Sequence, residues 1–191
     1  QEQIEQLFHL ENALLLLSLG ICFALGVYNL FIFFSTRNKL YLSYASATLS
    51  FAVGWSSVFG VPEYVGIGRS DYWLMPAFLI GIFFYSYFSI QFLRLKELAP
   101  QTTKSLKVIS WITLISLPFA IYSPGIGFHL VSVLSFGVLL IGLYSGIRCW
   151  LNGYSAAKYF VFGLLSVVVS NMIGNLMNTG VLPGLNINTY I

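Results

Sequence analysis

Charge is what this chain has least of: nine Lys and Arg and six Asp and Glu make up 8% of 191 residues, against 58% hydrophobic ones. So few charges cannot cover the surface of a soluble domain, and the composition prefers lipid. The net charge of +3 is therefore no nucleic-acid footprint, because basic residues in a membrane chain report orientation. Cysteine is nearly absent too. Cys22 lies midway along the first apolar run and Cys149 at the end of the fifth. Their different depths argue against a disulfide and for two free, buried, structural thiols. There is no initiator methionine and no signal peptide with its basic start and small-residue cleavage site. A chain that opens on Gln1 and stops at "NINTYI" reads as a processed piece of a longer protein.

What is abundant is long apolar runs. They fall at about 9–35, 40–60, 72–93, 106–123, 127–150 and 158–180. Each is long enough for a helix crossing a core of about 30 Å, and the links between them carry turn or interface residues. The expected fold is an all-α integral membrane protein, an antiparallel helical bundle of six spans with room for a seventh. Pro118 is expected to break the fourth run near its end and leave it short. Arg37, Lys39, Arg94, Lys96, Lys104, Lys107, Arg148 and Lys158 fall on one side of this topology and only Arg69 on the other. The positive-inside rule then puts the loops after spans 1, 3 and 5 in the cytoplasm and the N-terminus outside. Tyr41, Trp111, Trp150, Tyr154 and Tyr159 mark the inner interface, and Tyr64, Tyr72, Trp73 and Tyr122 the outer one.

A second absence bears on function. No Asp, Glu, Lys or Arg lies between the interfaces in any span. Proton relays, voltage sensors, ion-coupled transporters and retinal pigments rely on such groups, so the sequence argues against all four. Enzyme chemistry does not assemble either. His9 and His129 both sit at the outer edge, no G-x-S-x-G occurs, and the serines are explained by close helix approach. No catalytic residue, metal site or cofactor is expected in these residues. The two histidines are either a metal or pH-sensing pair at the outer mouth or two solvated interfacial side chains.

Small residues recur at helical spacing: Ser46, Ser50 and Gly54; Cys22 and Gly26; Gly142 and Gly146; Ser170 and Gly174. Close packing explains each, and Gly142-x-x-x-Gly146 has the alternative reading of a homodimer face. The polar stripe Asn171, Asn175 and Asn178 is more specific. Its i, i+4, i+7 spacing puts three amides on one face, which is expected to point away from lipid. Either it bonds to neighbouring helices, through Asn29, Thr48 or Gln91, or it forms the wall of an outward-facing pocket or a switch between two packings.

Several stretches carry a likeness to a known family. Helix 1 closes in "GVYNLFIFFSTRNKLYLSYA", helix 2 ends on Gly60, helix 3 leaves through "FLRLKELAP", and "GYSAAKYFVFG" is followed by "NTGVLPGLNIN". In order and spacing these resemble the bacterial seven-transmembrane receptors with diverse intracellular signalling modules. The resemblance implies a seventh helix after Ile191 and a periplasmic sensor domain upstream, with residues 1–8 as its linker and 9–191 as the transmembrane domain. It also implies a downstream cytoplasmic output module, a histidine kinase or diguanylate cyclase. The expected function is a transmembrane sensor and transducer in the bacterial inner membrane, contacting lipid and its own flanking domains. The alternatives are a small transporter or channel for a neutral solute, disfavoured by the lack of an inverted repeat, and a passive membrane anchor.

Overall fold

In hydrocarbon every backbone N–H and C=O needs a partner within the protein, and a helix supplies one to each residue locally. The computed structural model describes the backbone of residues 2–66 and 69–178, with side chains for 13–66, 69 and 73–170. All regular structure among the described residues is helical: α1 (Glu2–Thr36), α2 (Lys39–Val58), α3 (Val61–Tyr64), α4 (Ser70–Phe92), α5 (Leu95–Leu98), α6 (Pro100–Tyr122), α7 (Pro124–Leu151) and α8 (Ala157–Asn178). Among the described residues four stretches are long and apolar enough to cross a membrane, namely Ala13–Thr36, Trp73–Phe92, Pro100–Tyr122 and Pro124–Leu151. Ala157–Ser170 is a shorter apolar stretch. α2 is more polar, since Ser43, Ser46, Thr48, Ser50, Ser56 and Ser57 all lie on it.

The links are short because their turn chemistry is local. Between α1 and α2 only Arg37 and Asn38 intervene. The Arg37 amide donates to the Phe33 carbonyl (2.7 Å), and the Asn38 side chain caps α2 by accepting from the Leu40 amide at 3.0 Å. Gly60, at φ +69°, turns the chain after α2. Two features differ from the sequence expectation. α6 begins at Pro100, not near 106, and continues through Pro118 to Tyr122. Proline fits the first turn of a helix, and Pro118 stands so near the end that little of the ladder remains to be broken. The loops after α2 and α4 also contain the single-turn helices α3 and α5.

α4 occupies the centre. It packs against α2, α6 and α7, while α1 packs against α2 and α8 against α7. At the α2–α4 seam the fit is reciprocal. A Cβ on Gly81 of α4 would stand 2.7 Å from the Phe51 ring of α2, and one on Gly54 of α2 would stand 3.1 Å from the Phe78 ring of α4. Lipid tails are as apolar as leucine, so such close van der Waals contact, not water exclusion, holds helices together here. Buried hydroxyls serve the same end. Ser86, Ser89 and Ser110 are fully buried, and each donates to the carbonyl four residues earlier at 2.8 Å. They are small enough to admit a neighbour and bring no unpaired polar atom with them. Both cysteines are free; Cys149 is buried, but Cys22 is only half-buried because α1 lies at the edge of the bundle.

Candidate functional site at the basic end of the bundle

The residues singled out from the sequence are dispersed. Asn171, Asn175 and Asn178 lie on the last turns of α8, in register along one face of its backbone, and their side chains lie outside the described residues. So does that of His9. Asn29 on α1 donates its amide to the Leu25 carbonyl of its own helix at 2.8 Å. α1 and α8 belong to opposite sides of the packing order, with α2, α4 and α7 between them. Gln91 has a different partner from the stripe: its amide donates to Ser43 Oγ at 3.0 Å, joining α4 to α2. His129 is exposed near the start of α7, edge-on to the Phe128 ring at 5.9 Å. No group of three or more metal-ligating side chains occurs among the described residues.

Ser46 and Ser50 are half-buried on α2. Gly142 and Gly146 are buried on α7, where α8 covers them. A Cβ on Gly146 would stand 2.8 Å from Val161, and one on Gly142 would stand 3.3 Å from Leu164. Gly174 lies on α8 beyond its described side chains.

What the fold does bring together is one end of the bundle, where the helix ends bearing the eight basic residues meet. The turn from α7 to α8 is built by Gly153, at φ +90°. Its amide donates to the Trp150 carbonyl and that of Tyr154 to the Cys149 carbonyl, both at 3.0 Å, the pattern that closes a helix with a left-handed residue. The turn places Tyr154 against the end of α4, where helix geometry leaves carbonyls without intrahelical partners. The Tyr154 hydroxyl donates to the Phe92 carbonyl at 3.0 Å, and the Cys149 thiol donates to the Leu93 carbonyl at 3.7 Å. The Arg94 guanidinium stands 5.7 Å over the Tyr154 ring. Phe160, in the first turn of α8, completes the joint with ring contacts to Phe92 at 6.0 Å, Tyr85 at 6.2 Å and Phe88 at 6.4 Å.

Tyr154 therefore does more than sit in the interface. It clasps the turn between α7 and α8 onto the end of the central helix. Sequence reading missed this because a tyrosine beside a turn at a membrane surface looks like any other belt aromatic. Trp111, Trp150 and Tyr159 are indeed exposed, at 60%, 40% and 68%. The available signal was Gly153 directly before Tyr154, since the residue after a left-handed cap glycine commonly turns back onto its own fold.

The geometry of this site is that of a mechanical joint in a multi-pass helical membrane protein. The family described as 7TM diverse intracellular signalling matches residues 11–191. The chain belongs to this family, a transmembrane sensor domain of signalling receptors that is not itself catalytic. No curated protein and no solved structure matches it.

Proposed function

We propose that this domain carries a stimulus from outside the bacterial inner membrane to an output module in the cytoplasm, a histidine kinase or a diguanylate cyclase. The basic end of the bundle is its cytoplasmic end and the N-terminus lies outside, as the concentration of Lys and Arg at one end supports. The long helices and α2 and α8 make six spans, with a seventh leading to the output. An upstream periplasmic domain delivers the stimulus, and Asn171, Asn175 and Asn178 line an outward-facing pocket or switch on α8.

The observation that carries this reading is the clasp of Tyr154, Cys149 and Phe160 on the end of α4. The helix that packs against α2, α6 and α7 has its basic end tied to the α7–α8 turn. A shift of α8 relative to α4 therefore reaches the membrane surface where an output module is joined, and a ligand preferring one arrangement shifts the equilibrium between two. Tyr154→Phe in the full-length receptor removes the bond to Phe92 and keeps the ring. The expected result is a change of basal output of about threefold to tenfold, the factor that roughly 1 kcal/mol of coupling corresponds to. Unaltered basal output and dose response would show that the clasp is only structural. Asn175→Leu tests the stripe in the same assay, and wild-type behaviour there rejects a switch role for it.

A further inference from the structure

Beside the clasp, on the opposite flank of α4, a cavity of about 350 Å³ opens between α1, α2 and α4 at the basic end. Its walls are apolar and aromatic, including Phe33 of α1 and Phe84 of α4. Its only polar neutral groups besides the Tyr87 phenol are Ser43 and Gln91, and these two are hydrogen-bonded to each other at 3.0 Å. Arg37 and Lys39 complete the lining, and no carboxylate is part of it. Both cations are exposed; Arg37 lies in the two-residue link from α1 to α2, and Lys39 opens α2.

Arg37 is one of two described non-glycine residues with positive φ, at 55°. Glycine is the residue that adopts this conformation without steric penalty. A charged side chain therefore stands at the rim of the groove where the turn alone would be better served by none.

We propose that this groove binds an anionic glycerophospholipid of the leaflet at the basic end, its phosphate between Arg37 and Lys39 and an acyl chain along Phe33 and Phe84. The charge pattern selects this occupant. Two cations without a carboxylate favour a phosphate, and basic pockets between transmembrane helices at a membrane surface are suited to acidic head groups. The apolar and aromatic lining beside them favours an attached acyl chain and adds nothing for a soluble phosphate. Because the lipid touches α1, α2 and α4 together, it ties the edge helix to the central one and makes their packing sensitive to the acidic lipid of the membrane.

The test is native mass spectrometry of the protein released from nanodiscs containing equal amounts of phosphatidylglycerol and phosphatidylcholine, with binding read as the ratio of the retained lipids. The expected ratio favours phosphatidylglycerol by about tenfold or more, given two neighbouring cations. Arg37→Gln with Lys39→Gln brings it to about one, while Lys104→Gln with Lys107→Gln, at the same end on α6, leaves most of it. Leu42→Trp fills the groove from α2 without touching its charges, and it too abolishes retention while the helix content by circular dichroism is kept. Should Leu42→Trp retain the preference, the cations attract lipid diffusely and the groove is not a site. Equal retention of both lipids by the unmodified protein overturns the proposal, as does displacement of the bound lipid by millimolar inorganic phosphate, which would make this a phosphate site.

Discussion

α1 and α4 are both apolar enough to cross a membrane, yet 44% of the apolar window of α4 is buried inside the protein against 6% for α1. The more buried helix is the less apolar of the two, and its polar side chains are set against other helices. Ser86, Ser89 and Gln91 lie on α4 and turn toward its neighbours, whereas α1 exposes Leu16, Phe23, Phe31 and Phe34. In water the opposite pattern marks a core helix. In lipid an apolar side chain is equally at home on either side, so close approach and polar pairing decide which helix goes to the centre. High hydropathy therefore identifies a lipid-facing helix and says little about the core.

The contrast can be broken most forcefully at two glycines. Gly81→Val on α4 should cost about 1–3 kcal/mol, because even its Cβ would meet the Phe51 ring at 2.7 Å. Gly20→Val on α1, where nothing lies within 4 Å, should stay within about 0.5 kcal/mol. Reversible unfolding in mixed detergent and SDS reads both, and equal losses would mean that α4 is not the packed centre. Tyr154→Phe comes next, at about 1 kcal/mol in the same assay, since it leaves the Phe92 carbonyl without its tyrosine donor. Tyr28→Phe on the exposed face of α1 is its control and should change nothing measurable.

A double-mutant cycle between Gln91→Leu and Ser43→Ala should give a coupling of about 0.6 kcal/mol, the usual size for a hydrogen bond between membrane helices. The one expected gain in stability separates two arginines. Arg94→Gly relieves a left-handed backbone at φ 50° but gives up the contact with Tyr154, so its net change should be near zero. Arg37→Gly in lipid-free detergent relieves φ 55° with no ring to lose and should stabilise by up to about 1 kcal/mol.

Much of the helical layout was legible in the sequence. The gap at Arg37 and Asn38, the glycine turn at Gly60 and the small residues of "NGYSAAKYF" are local signals, and each marks a turn in the fold. The start of α6 was less legible because its first two turns are polar, with Gln101, Lys104 and Lys107 at a membrane surface where hydropathy falls although the helix continues. Pro118 misled for a related reason, since a proline's effect depends on how much helix follows it. Arg37 and Arg94 could not be read at all as left-handed positions, because neither is glycine or asparagine. The clasp was hidden for the deepest reason. Tyr154, Cys149 and Phe160 act through α4, which lies about 60 residues earlier in the chain, as the separations of 62 and 56 in their hydrogen bonds show for the first two. Gly153 marks the turn within its own segment, but nothing in that segment's spacing names the partner on α4.

Signal transmission by these helices, beyond merely holding soluble domains in place, is a proposal with a large expected effect. Its most direct test exchanges the whole bundle, in the full-length receptor, for unrelated spans of the same number and orientation, and measures output with and without stimulus. The exchanged receptor is expected to insert and keep a basal activity but to lose its response to the stimulus. A response of undiminished size and sensitivity would contradict it and make the bundle a passive anchor.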